Sequence, residues 1–158
     1  MVLLKFFWAM FLSFLPGILG IIVAPTETGG NTWYNSLANS SLTPAGWVFS
    51  FVWTALYFFI GLALFLVMQQ KYSNRHDKTS AYTLFTANII LNLLWSFVFF
   101  GAHLPEAALI VLMALIIVAI FMARAFLRIN KPAFWLIVPY IIWLMFAFYL
   151  NGMIIYLN

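Results

Sequence analysis

The chain has 158 residues, of which 66% are hydrophobic and 6% charged, with seven Lys/Arg, three Asp/Glu and two His. A soluble domain carries about 25% charged residues to wet its surface, so this composition excludes a water-soluble fold and makes lipid the solvent. There is no cysteine, which removes disulfides, thiolate metal sites and cysteine nucleophiles. The formal net charge of +4 fits basic residues kept at helix ends better than a nucleic-acid partner.

A helix needs roughly 20 apolar residues to cross the hydrocarbon, and five such runs are present. They predict an all-α membrane protein, a five-transmembrane-helix bundle. No run alternates in polarity as a membrane β-barrel strand does. No internal repeat marks an inverted-repeat transporter. The length leaves room for one domain.

The first span covers about 6–23, with Pro16 loosening it beside Gly17 and Gly20. Lys5 ahead of an apolar run ending at Val23-Ala24 also has the outline of a signal peptide. The run is long for that, and Pro25 follows the small-residue site, so the segment is expected to stay as a helix. The stretch 24–46 is the longest outside the spans. It holds Gly29, Gly30, Trp33, Tyr34 and Pro44 and is placed to cover the mouth of the bundle. The second span, about 47–68, carries Ser50, Trp53, Tyr57 and Gly61 on one stripe. A polar connector, 69–80, leads to the third span, about 81–101. There Asn88, Asn92, Trp95 and Phe99 recur on one helical face.

Two amides and an indole on one face do not point at lipid. Such a face either lines a ligand site or forms hydrogen bonds between helices. For Asn88 the interhelical reading is the simpler one; for Asn92 and Trp95 periodicity leaves both open. A tight turn holds His103, a candidate axial haem ligand or an ordinary interfacial histidine, and Glu106, which complements the next helix dipole. The fourth span, about 107–127, is apolar to Ala123; Arg124 and Arg128 snorkel to the interface. The fifth, about 133–157, carries Pro139, Trp143, Ala147, Leu150 and Asn151 on one stripe. Trp8, Trp33 and Trp135 fit interfacial belts.

Lys5, Lys71, Arg75, Lys78, Arg124, Arg128 and Lys131 all fall on the side of the N-terminus in this five-span arrangement. Positive loops stay inside, which predicts a cytoplasmic N-terminus and a C-terminus on the opposite side. Nothing in the spans resembles an acid/base pair, a nucleophile with its base, or a metal-ligand cluster.

Several motifs occur in order. They are Trp33-Tyr34-x-x-Leu37, Pro44-x-x-Trp47-Val48-Phe49 and Val52-Trp53-Thr54-x-Leu56-Tyr57. Further on stand Asn92-x-x-Trp95-Ser96-x-x-Phe99-Phe100-Gly101 and Pro139-Tyr140-x-x-Trp143-x-x-Phe146-Ala147-x-x-Leu150-Asn151. Together they cover about residues 33–151, and the chain resembles the TspO/MBR family, also called translocator proteins, tryptophan-rich sensory proteins or peripheral-type benzodiazepine receptors. It departs from that pattern at Asn39-Ser40, where Lys-Pro is usual, at Leu42, where Trp is usual, and at Pro44-Ala45 in place of Pro-Pro. The stretch 26–31 is also enlarged.

The resemblance implies a membrane receptor or regulator that binds porphyrins, protoporphyrin IX or haem, and related flat lipophiles between the helices. Carried over by motif, the ligand-binding residues are Phe49, Trp53, Tyr57, Asn92, Trp95, Trp143, Phe146, Ala147 and Leu150. Asn92 and the Tyr57 hydroxyl would give orienting hydrogen bonds, and small Ala147 would leave room. The alternatives it implies are light-dependent porphyrin breakdown, with Trp53 and Trp143 relaying electrons, and facilitated transport of tetrapyrroles or lipophiles. No obligatory cofactor and no metal are expected. Membrane lipid, a lipophilic small molecule and a second copy of the chain are the expected partners. Thr83-x-x-x-Ala87 is a small-residue pattern suited to such a homodimer. No cholesterol pattern is met, because Tyr156 is followed only by Leu157-Asn158. A bacterial cell membrane is the expected location.

Overall fold

The computed structural model describes residues 2–23, 33–71 and 73–158. Gly29, Gly30 and the enlarged stretch 26–31 lie outside the described residues. Among those described, five helices are long and apolar enough to cross a membrane, and no strand occurs. The protein is an all-α, multi-pass integral membrane protein.

Helix α1 is Val2–Val23, the short α2 is Trp33–Ser36, and α3 is Gly46–Gln69. Helix α4, Arg75–Ser96, continues through a π-helical segment, Phe97–Gly101. Helices α5, Pro105–Ile129, and α6, Lys131–Leu157, complete the chain. The long helices form a closed ring: α1 packs on α3, α3 on α6, α6 on α5, α5 on α4, and α4 back on α1. Tight turns after Gly101 and at Asn130 make α4, α5 and α6 consecutive antiparallel neighbours. Helices α3 and α4 face each other across the interior, where Tyr57 meets Asn92.

The helix ends follow local chemistry. Helix α4 starts at Arg75, earlier than the apolar run at 81 indicates, and so the connector is shorter than 69–80. The Asn74 side chain accepts from the His76 amide and Asp77 sits in the first turn, so a polar helical turn extends beyond the hydrocarbon. Asn130 caps α6 by accepting from the Ala133 amide. Pro105 opens α5, where a missing N–H is harmless.

One end of the bundle gathers the cations. Lys5 Nζ donates to the Met68 carbonyl at 3.0 Å, tying the start of α1 to the last turn of α3. Arg128 lies 3.9 Å from Asp77, joining the ends of α5 and α4; this exposed pair contributes about 0–1 kcal/mol. All seven Lys and Arg residues belong to this basic end, and residues 33–45 and Asn158 lie at the opposite end.

Two predicted stripes drift from the buried face. Ser50 is exposed, whereas Tyr57 and Gly61 are buried. Pro139 is exposed, and Tyr140, Leu144, Ala147, Leu150, Asn151 and Ile154 form the inward face of α6. The reason is geometric: steps of four residues advance about 40° beyond a full turn, so a long row of such steps leaves the face it began on.

Small residues set the close crossings. A Cβ on Gly61 would stand 2.6 Å from Ser13 Oγ, and one on Gly17 2.8 Å from the Tyr57 ring. Gly17 makes room on α1 for the Tyr57 ring of α3, and Gly61 makes room on α3 for Ser13 and Met10 of α1, so the two helices approach closely.

Candidate functional site

The motif residues from α3, α4 and α6 converge at the half of the bundle away from the basic end. Trp53 lies 5.5 Å from Tyr57, 6.4 Å from Trp95 in near-parallel stacking, and 6.4 Å from Tyr140 between ring centroids. Phe49, one turn before Trp53, packs its ring against Trp143 at 5.8 Å, and Trp143 packs on Phe146 at 5.5 Å. Trp53, Trp95, Trp143 and Phe146 are half-buried, and Ala147 and Leu150 are buried on the inner face of α6. Two aromatic groups thus share α3 and α6 and face each other across one end of the bundle, with Ala147 one turn after Trp143 toward the outer end of α6.

The polar residues have a more specific arrangement than periodicity alone gives. The Tyr57 hydroxyl donates to Asn92 Oδ1 at 3.1 Å. Asn92 Nδ2 donates to the Tyr140 hydroxyl at 3.2 Å. That hydroxyl donates onward to Asn88 Oδ1 at 3.2 Å. A directional chain therefore links α3, α4 and α6 in the buried interior. Of the two roles open to Asn92, the structure shows the interhelical one; the Tyr57 proton is likewise committed between helices. Tyr140, the hub of this chain, stands in the fifth-helix motif but was not among the expected ligand contacts. Its signal was available: a tyrosine deep in a span needs a partner for its hydroxyl.

Trp95 Nε1 donates to Asn151 Oδ1 at 3.4 Å, and Asn151 Nδ2 donates to the Pro105 carbonyl at 2.9 Å. Trp143 differs: its indole N–H is buried and has no hydrogen-bond partner among the described residues. An unpaired buried donor is costly.

The π-helical segment is a feature with no cue in the hydropathy pattern. The Ala102 amide bonds the Phe97 carbonyl at 2.8 Å, and Leu104 bonds Val98 at 3.1 Å, so the register widens at the end of the helix. Such bulges recur at functional sites. Here it turns Phe99 and Phe100 together toward the preceding connection. Phe99 meets Trp95 at 5.5 Å, Trp33 at 5.6 Å and Tyr34 at 6.2 Å. Burial among these rings pushes the Tyr34 phenol above its ordinary range. His103 has a left-handed φ of 56°, and its imidazole stacks on Trp33 at 4.4 Å and 16°. Trp33 is thus part of a packed cap on the bundle.

The buried chain makes a measurable claim. Tyr57→Phe and Asn92→Leu are each expected to destabilise the protein by about 1–2 kcal/mol, with a coupling between them of about 0.6–1.7 kcal/mol. Detergent unfolding of the two single variants and the double variant measures it, and strictly additive effects would show that the bond contributes nothing.

Residues 9–157 match the model of the TspO/MBR family. The chain is 38% identical over 133 residues to tryptophan-rich protein TspO of Chlorobaculum tepidum, covering 84% of each chain. It is 35% identical over 149 residues to the tryptophan-rich sensory protein of Cereibacter sphaeroides, covering 91% of this chain and 88% of that one. It is 29% identical over 140 residues to the translocator protein of Bos taurus, covering 88% and 83%. With the family match spanning almost the whole chain and the five-helix ring carrying the motif residues on facing walls, this protein belongs to the TspO/MBR family.

Proposed function

We propose that the protein is a membrane receptor or regulator that binds porphyrins, protoporphyrin IX or haem, and similar flat lipophiles in the cleft between α3, α4 and α6. The observation that carries this reading is the unpartnered Trp143 N–H set in a wall of Phe49 and Phe146. Aromatic walls with an unpartnered donor among them suit a large planar ligand bearing an acceptor at its edge. Near-parallel Trp53 and Trp95 offer stacking area, and Ala147 and Leu150 leave the α6 wall apolar. The Tyr57, Asn92, Tyr140 and Asn151 side chains are hydrogen-bonded within the bundle, so the ligand's polar edge would face Trp143; the other unpartnered amide on the motif face, Asn88 Nδ2, lies one turn from Asn92 toward the basic end.

Titration of the detergent-purified protein with protoporphyrin IX tests this. Saturable quenching of Trp fluorescence in the dark is expected, and its loss when Trp143 is changed to Phe locates the donor. Absence of any saturable quenching overturns the porphyrin reading. A second reading, photo-oxidative breakdown of the bound porphyrin with oxygen as oxidant, is favoured by the run of aromatic rings from Trp95 through Trp53 to Tyr57 and Tyr140. Light-dependent loss of the porphyrin bands in the same cuvette would bring it forward.

The positive charge gathered at one end supports a cytoplasmic N-terminus in a bacterial cell membrane. The exposed Thr83 beside half-buried Ala87 leaves the lipid-facing side of α4 open to a second copy of the chain.

A further inference from the structure

The segment that follows α2 packs Leu37 against the cluster of Phe99, Ala108 and Ile154, and beyond Leu37 it is fastened to the end of α6 by side-chain hydrogen bonds. The Asn158 amide reads the backbone of Ala38 on both sides. Ala38 N–H donates to Asn158 Oδ1 at 2.9 Å, and Asn158 Nδ2 donates to the Ala38 carbonyl at 3.1 Å. The same Nδ2 also donates to the Ile154 carbonyl at 2.9 Å. Both amide protons are therefore used, one on the helix and one on the segment, and the side chain is held in a single orientation. A carboxylate of the same shape would set oxygen against two carbonyls.

A second contact lies two residues on. Ser40 Oγ and the Tyr149 hydroxyl are 3.3 Å apart, and Ser40 Oγ also accepts from the Leu42 amide at 3.2 Å. Ser40 is one of the positions where the chain departs from the family pattern. Tyr149 stacks on Phe146 at 6.4 Å and 19°, and Phe146 packs on Trp143. Fastening and cleft wall are thus one continuous set of contacts along α6. At the other end of the segment, Trp33 is pinned by Phe99 and His103.

We propose that Asn158 is a positioning residue. It latches residues 37–40 onto the outer end of α6 and, with Tyr149, sets how long a ligand is retained in the cleft. Retention rests on the porphyrin-binding reading; the latch itself does not. The exposed hydrogen bonds are individually weak, but two on one rigid amide act together, and they hold a segment 120 positions away in sequence.

The test uses the full chain in detergent with Asn158→Ala, Asn158→Asp and Tyr149→Phe. Hydrogen exchange at the Ala38 amide is read without ligand, and protoporphyrin IX dissociation is read by recovery of Trp fluorescence. In Asn158→Ala the Ala38 amide should lose protection and dissociation should quicken about tenfold, the loss of one to two such bonds. Asn158→Asp should behave like the alanine variant although it keeps the shape, which a packing role would not produce. Tyr149→Phe should quicken dissociation less and leave Ala38 protected. Unchanged protection in both Asn158 variants overturns the latch. Lost protection with unchanged dissociation overturns its role in retention. Should the unaltered protein fail to bind protoporphyrin at all, the binding reading falls, and exchange at Ala38 alone then decides the latch.

Discussion

Replacing Gly61 with alanine is expected to destabilise the protein by about 1–3 kcal/mol, and replacing it with leucine is expected to prevent α1 from docking on α3. The added Cβ would stand 2.6 Å from Ser13 Oγ, 2.9 Å from Met10 Sδ and 3.3 Å from the Ala9 carbonyl. The methionine can yield, because its thioether is flexible. Ser13 is less free: it is fully buried and its hydroxyl donates to the Met10 carbonyl at 2.9 Å, so it moves only by giving up that bond. The Ala9 carbonyl belongs to the helix and moves only with α1 itself. Gly152 provides the control, since a Cβ there meets nothing within 4 Å. Thermal unfolding in detergent, followed by near-UV circular dichroism, should rank the variants as parent and Gly152→Ala, then Gly61→Ala, then Gly61→Leu. A Gly61→Leu variant that melts with the parent would show that the α1–α3 crossing is not set by this contact.

The periodicity of polar residues was legible where the lipid made it costly to err. Asn88, Asn92, Trp95 and Phe99 do share a face, and Trp53 and Tyr57 do oppose them, because a bundle in hydrocarbon has nowhere else to put amides and indoles. What was not legible is which partner each polar group takes. Asn92 had two roles open, and the choice depends on the Tyr140 hydroxyl arriving from a helix 48 positions away, a fact of packing that no spacing encodes. The π-helical turn at Phe97–Gly101 is similarly silent, since one extra residue in a helical turn leaves hydropathy unchanged. The start of α4 was readable: Asn74 with Asp77 three residues on is a capping pattern, but an apolar window cannot see a polar first turn. Asn158 had no signal at all. A terminal asparagine has meaning only once Ala38 is seen beside it.

Ala147 should control the capacity of the cleft. It is 7% exposed, one turn after Trp143 on the inner face of α6, with Leu144 and Leu150 on either side of it. Each added carbon there takes volume from the apolar α6 wall against which a planar ligand would lie. Valine, leucine and phenylalanine at this position should weaken protoporphyrin IX binding in that order, reaching about 100-fold for phenylalanine, equivalent to about 2.7 kcal/mol. Overpacking also destabilises by about 1–3 kcal/mol, so affinity alone would not separate a filled cleft from a loosened bundle. The separation lies in Trp95. Its Nε1 bond to Asn151 joins α4 to α6 one turn beyond the substitution, so a loosened bundle would lower the melting temperature and alter the Trp environment together. A filled cleft would lower affinity in step with side-chain volume while the melting temperature falls little. Equal affinity for the leucine variant and the parent would remove Ala147 from the binding wall, and would shift the ligand toward the Phe49 and Phe146 side of Trp143.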